Sequence, residues 1–482
     1  DRYAPDRREY DFTATQSATD PAGLKAAYDF QKANDQQSSL FRGFILEPGT
    51  IIRRYDELVD DNFDVSADLT WDVYDAGASF GQLKAGLQLI YRERDSDSVT
   101  YGFNVNQVRD DLLRSENLLV SDVVYICDGA SANSACESGS EGGISTSPNT
   151  GLVFVDKTLA SDSYDAELEY NSAYLMYDHT FDSVWQVILG GRYETYEQTT
   201  NTFSLQSAQG AVQSVIDEDS FLPSLGVNWF ISEEHQLRFA VSQTVARPDF
   251  KEAANATFYD NEFNFRVRGN PFLEISDIIN ADLRWEWYLS EVDSLSVALF
   301  YKDMDKPIER VVQAASGTAG NSRTFQNSDS AELYGIELDG RFEFALGDDY
   351  DQTLFLSFNA AFIESEVTAK NQDDRALQGQ PEYTANLIFG YDNIGAGHQL
   401  TVLLNQNGQA IADVGVSGQP DVFLEPRLDL NVVYRYEFSD SLTIRAKLEN
   451  LLDDEVEYSQ GGQVFQIYNR GPTIQVGLDW QL

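Results

Sequence analysis

The chain has 482 residues and carries 33 Lys plus Arg against 79 Asp plus Glu, a formal net charge of -46. That balance excludes a nucleic-acid surface, which needs a basic face for phosphate, and the absence of any run of about 18 apolar residues excludes a helical membrane protein. Twenty-five Tyr and 29 Phe in a chain of polar average instead fit a barrel that is apolar outside and polar inside.

The chain begins at Asp1 with no signal peptide, so any export signal is expected upstream or removed. No stretch reads as a linker, and residues 1–482 are expected to form one β-barrel domain, partial at its N-terminus. The first clear strand alternates Phe63, Val65, Ala67, Leu69, Trp71 and Val73 with Asp64, Ser66, Asp68, Thr70 and Asp72. Gly77-Ala78-Ser79-Phe80-Gly81 follows; it fits the nucleophile-elbow pattern but lies between two strands, so it reads as a turn. Cys127 and Cys136 sit in a Gly/Ser/Asn-rich stretch and suggest a disulfide clip in an oxidising compartment. Later strands repeat the alternation at Leu428–Phe438, Leu442–Leu448 and Ile474–Leu482.

Connections take turns in length. Short ones are expected near 75–80, 181–184, 232–235, 290–293, 345–350, 394–397 and 439–441. Long ones fall near 15–48, 104–162, 203–216, 249–275, 311–323, 369–378, 415–421 and 457–463. Short periplasmic turns and long extracellular loops are what an outer-membrane barrel requires. The pattern predicts an all-β, transmembrane, antiparallel up-and-down barrel with about sixteen strands visible. Trp71, Trp185, Trp229, Trp285, Trp287 and Trp480 all lie near a short turn or the C-terminus in the apolar register, as a periplasmic aromatic girdle would.

Chemistry-bearing motifs are scarce. His179, His235 and His398 stand beside short turns rather than in a cluster. No phosphate-binding glycine loop, zinc spacing or Cys/His nucleophile pair occurs, and neither a catalytic residue, a metal site nor a cofactor is expected. The acidic residues read first as solvated loops and a wet lumen, and second as a field for cations.

Several ordered segments resemble the barrel of TonB-dependent receptors, particularly the branch common in proteobacteria that consume polysaccharides. They are Phe221-Leu222-Pro223-Ser224-Leu225, Leu237 to Ser242, Ala246-Arg247-Pro248-Asp249-Phe250 and Arg268-Gly269-Asn270-Pro271. Asp282 to Tyr288, Phe300 to Asp303, Tyr334 to Leu338, Glu449 to Asp453 and Arg470-Gly471-Pro472 complete the set, over roughly residues 50 to 482. The resemblance implies a TonB box, a plug and about six further strands of a barrel of about 22 before Asp1. The last strand ends Trp480-Gln481-Leu482, where the family tends to close on an aromatic residue.

By that resemblance the function is TonB-dependent uptake of a scarce nutrient, an oligosaccharide or similar organic ligand ahead of a siderophore. A passive sixteen-stranded porin is the alternative, and pairing of a strand near 3–14 with the last strand would favour it. Expected partners are outer-membrane lipid and lipopolysaccharide, the TonB complex through the N-terminal region, the ligand and a surface lipoprotein. The Arg247-Pro248-Asp249 and Gly269-Asn270-Pro271 steps read as loop boundaries. Between them Phe258, Tyr259, Phe263 and Phe265 stand among Asp260, Asn261, Asn264, Arg266 and Arg268, offering ring faces with hydrogen-bonding groups. Asn405, Gln406, Asn407 and Gln409 form a second candidate.

Overall fold

The computed structural model describes residues 7–9, 12–14, 44–46, 51–106, 127–128, 151–156, 158–203, 211–260, 265–314, 321–346, 351–370, 372, 374–439 and 441–480. The chain divides into two compact units. One comprises Asp1–Asp61, Arg94–Asp165 and Thr202–Ala211; the other comprises Asn62–Glu93, Ala166–Asn201 and Val212–Leu482.

In the first unit Arg7–Glu9 pairs with Ile52–Arg54 and Phe12–Ala14 with Phe44–Leu46. The described partner of the last strand, Thr473–Trp480, is Leu442–Glu449. The pairing that would favour a porin is therefore not among those described. Arg94 and Asp60 form an ion pair in this unit, and Asp56 accepts a hydrogen bond of 2.6 Å from Ser98. Cys136 lies outside the described residues, and the cysteine clip remains an expectation.

The second unit holds the long wall. Among the described residues fifteen strands follow one another as sheet neighbours in chain order, against about sixteen expected; the first is the Ile51–Asp75 strand, which enters this unit at Asn62, and the last is Thr473–Trp480. From Ala211–Phe230 onward each described register is antiparallel. The connecting turns fall at 76–79, 182–184, 231–234, 289–293 and 394–397, where the sequence places them, while most of the two expected near 345–350 and 439–441 lies outside the described residues.

Period-2 alternation gives the wall two faces. Leu69, Leu87, Leu189, Phe221, Leu299 and Phe362 on one face are at least half exposed. On the other, Gln88 donates to Asp64, Tyr174 to Asp68 and Asn228 to Gln186. Gly390 shows how closely aromatic rings pack across the ladder: a Cβ there would overlap the edge of the Phe355 ring.

A second sheet grows from the long-connection end, where the sequence predicts long loops. Its eight strands, in spatial order, are Thr257–Asp260, Phe265–Arg268, Asn321–Asn327, Ile308–Ala314, Ala410–Gly415, Val422–Leu424, Val456–Gln460 and Gln463–Tyr468. Four hairpins from four different connections are thus joined edge to edge. Two of the joints are parallel, Val267 with Arg323, and Val311 and Val312 with Val414 and Gly415. Each face of this loop sheet carries its own apolar cluster. Val312, Val422, Val456 and Tyr458 pack on one side, and Val311, Ile411 and Val414 on the other.

Candidate ligand-binding site

The connection from Arg247 to Ile275 is built on a stem fixed at both ends. At its start Arg247 reaches Glu194 at 2.7 Å, and its guanidinium lies 4.5 Å from the centre of the Tyr196 ring. Glu194 is almost fully buried and also accepts from Arg192 and Tyr170, at 2.8 and 2.7 Å. Pro248 is fully buried. Asp249 then caps the one-turn helix Phe250–Ala253: its carboxylate accepts from Lys251 N at 3.0 Å, while Glu252 accepts from Asp249 N at 3.0 Å. At the far end Asn270 N donates to Glu252 O at 2.6 Å, and the Asn270 amide donates to Phe325 O at 2.9 Å. Gly269 passes so close to the carbonyls of Ala254, Lys251 and Glu252 that no side chain fits there.

Burial pushes the Glu252 carboxyl up, and the carboxylate of Asp249 adds to the rise while its N–H opposes it. A folded value above the unfolded one gives a contribution that is complete below the ordinary carboxylate value and is lost as pH rises through the raised one. Amide protection over 249–254 is expected to fall across that window in the native chain and to stay flat in Glu252→Gln, which keeps the cap acceptor. An equal fall in both chains would exclude this carboxyl as the source.

The stem carries the hairpin Thr257–Asp260 and Phe265–Arg268. Asn261 and Phe263 lie outside the described residues, as do Asn264 and the side chains of Tyr259, Asp260 and Phe265. Phe258 is half-buried, with the Lys251 ammonium 5.8 Å from its ring centre. Arg266 and Arg268 are exposed. Arg268 also donates twice to Asn255, at 3.0 and 2.7 Å, so its guanidinium is held in place. Phe272, the residue after Pro271, carries no signal of its own in the sequence. Its ring is 83 % exposed, and its N–H donates to the Asn270 side chain at 3.0 Å, which fixes the backbone that presents it.

Asn405 and Asn407 stand elsewhere, on the wall. Asn359, Asn386 and Asn405 are register partners on adjacent strands. Asn386 donates to Asn359 at 2.7 Å, Asn405 to Asn386, and Asn407 to Asn405 at 3.4 Å. The two candidates are therefore on different sheets, one a loop hairpin and the other a cross-strand amide row.

Behind the hairpin the loop sheet is locked by two buried ion clusters that the sequence did not reveal. Asp413, fully buried, pairs with Arg310 through one oxygen and with Arg323 through the other. Glu309 is equally buried; Arg375 grips both its oxygens at 2.8 and 2.6 Å, and Ser328 donates at 2.5 Å. Gln378 connects the clusters, accepting from Arg310 N and donating to Ala412 O, both at 2.6 Å. Ser79 makes its contacts at the other end of the wall. Its hydroxyl bonds Asp182 at 3.0 Å and accepts from Asp182 N at 2.8 Å, fastening two turns together.

Residues 1–451 match the family described as TonB dependent receptor-like, beta-barrel. The chain belongs to that family. As a TonB-dependent receptor barrel it is an integral outer-membrane protein, with its exposed apolar face toward lipid and its short turns at the periplasmic end. It is 26% identical over 220 residues to the iron-regulated outer membrane virulence protein of Vibrio cholerae O1, over 44% of this chain and 32% of that protein. Its fold is similar to the siderophore receptor PiuA from Acinetobacter baumannii, with TM-score 0.55, 14% identity, and 89% of this chain and 56% of that one covered. The ferric yersiniabactin uptake receptor FyuA from Yersinia pestis gives TM-score 0.55 and 15% identity, over 89% and 55% of the two chains. The chain thus spans about a third of the Vibrio protein and little more than half of each solved receptor.

Proposed function

We propose that this barrel serves TonB-dependent import of an anionic iron chelate of the siderophore class. The observation that carries the proposal is the exposed trio Arg266, Arg268 and Phe272 on a braced loop. Guanidinium groups suit carboxylate or catecholate oxygens, and a ring face suits a flat chelate. The net charge of -46 argues for repulsion of such a ligand at long range, but a local pair of arginines outweighs a screened field at contact distance. Similarity to a Vibrio protein regulated by iron supports an iron-bearing ligand. Coupling to TonB and contact with lipopolysaccharide belong to this proposal.

The amide row Asn359, Asn386, Asn405 and Asn407 favours a second reading, an oligosaccharide whose hydroxyls meet amides. Equilibrium binding to the purified full chain separates the two, using ferric catecholates, hydroxamates and carboxylates against linear glucans. One ferric chelate class is expected to bind, and Arg266→Ala to weaken it about 10- to 100-fold, the worth of one charge-assisted hydrogen bond. Glucan binding without chelate binding would reverse the order of the readings.

A further inference from the structure

All three histidines of the chain occupy equivalent places on the wall. His179 lies two residues before the end of Tyr164–Phe181, and His235 and His398 open the strands His235–Ala246 and His398–Asn407. All three are at the short-turn end, in the lipid-facing register, and half-buried. Each rests on aromatic rings. His179 lies 4.0 Å from the Phe181 ring centre, His398 stacks on Tyr436 at 4.5 Å, and His235 stacks on Trp287 and Trp285 at 5.7 and 5.8 Å.

Their ring nitrogens are used alike. Nδ1 of His179 bonds the Tyr177 hydroxyl at 2.7 Å, and Nδ1 of His398 bonds that of Tyr434 at 2.8 Å. Nδ1 of His235 is buried without a hydrogen-bond partner among the described residues. We assign the tyrosine hydroxyl as the donor in both pairs, which places the imidazole proton on Nε2, and the same tautomer at His235, where a buried Nδ1 costs less as an unpaired acceptor than as an unpaired N–H. Each ring then keeps one N–H to donate at the depth where a membrane changes from acyl chain to head group.

Cationic side chains of the wall do not compete there. Lys84, Arg192, Arg238, Arg284, Arg435 and Arg445 all lie in the polar register and pair with carboxylates. The turns themselves carry Asp182, Glu233, Glu234 and Glu291. Among the described wall residues, histidine is the basic side chain that this face offers to lipid at the periplasmic level.

We infer that His179, His235 and His398 are head-group sites that donate Nε2–H to the phosphodiester of periplasmic-leaflet phospholipids. Tyr177 and Tyr434 orient two of the rings, and the Trp285–Trp287 pair orients the third. The full chain in nanodiscs of equal phosphatidylethanolamine and a galactolipid with the same acyl chains tests this by native mass spectrometry of retained lipid. Phosphatidylethanolamine is expected to be retained preferentially. The bias is expected to fall about fivefold in the triple variant His179→Phe, His235→Phe, His398→Phe, which keeps the ring stacks and removes the donors. Heat-modifiable gel migration reports whether that variant is folded. An unchanged bias in the folded variant overturns the inference. If the variant does not fold, the native chain decides, because equal retention of the phosphate-free lipid overturns it as well.

Discussion

Asp413→Ala is expected to melt the loop sheet while leaving the wall in place. The carboxylate is fully buried between two guanidinium groups, and removing it takes from each the ion pair it makes there. Arg310, a quarter exposed, can turn toward water, but Arg323 is only 1 % exposed and cannot. Breaking a buried pair by deleting one partner costs about 3–5 kcal/mol. The loss should appear as fast amide exchange over 308–327 and 410–424, with unchanged protection in the wall ladder. The double change Asp413→Leu with Arg323→Met is expected to recover most of it, since apolar residues of similar volume remove the buried guanidinium together with its carboxylate. Slow exchange in the single variant would show that the apolar clusters around Val312 and Val414 hold the sheet without the ion cluster.

Gly269→Ala carries the second large effect. An added Cβ would meet three backbone carbonyls of the Lys251–Ala254 turn, the Glu252 oxygen at 2.9 Å and two others closer. Backbone oxygens cannot rotate away as a flexible side chain can, so the return strand must shift and the Asn270 N–H to Glu252 bond of 2.6 Å must break. Overpacking of this kind costs about 1–3 kcal/mol. Here the cost falls on the brace that presents Arg266, Arg268 and Phe272. Ligand affinity is expected to drop at least tenfold, with exchange over 249–273 accelerated. Gly477→Ala, where nothing lies within 4 Å of the new Cβ, is the control and is expected to change neither. Equal affinity of the Gly269 variant and the control would separate the loop from the binding surface.

The wall was legible because its signal is local. Phe63 to Val73 and Leu428 to Phe438 alternate over ten or more residues, and each turn carries its own Gly, Asp or Ser marker. The loop sheet was not legible. Its strands are three to seven residues long, and their pairing joins hairpins remote in sequence, as at Val311 and Val414. Period-2 reasoning finds strands but not such partners. The site was legible in part. Arg247-Pro248-Asp249 was read as the point where the chain leaves the membrane. Its three side chains also form an ion pair, fill a buried space and cap a helix. Phe272 was missed because its exposure depends on the Asn270 turn that precedes it.

The edge-to-edge joining of four hairpins also sets an order of events in folding. Arg310 and Asp413 are 103 residues apart in the chain, and closing a connection of that length is entropically expensive until intervening structure has shortened it. The strands between them supply that shortening, because each neighbouring wall pair zips through local hairpin contacts. The outer sheet therefore nucleates on a finished scaffold. Ligand competence should lag behind membrane insertion by a separate kinetic phase, one that depends on Asp413 while the insertion rate does not.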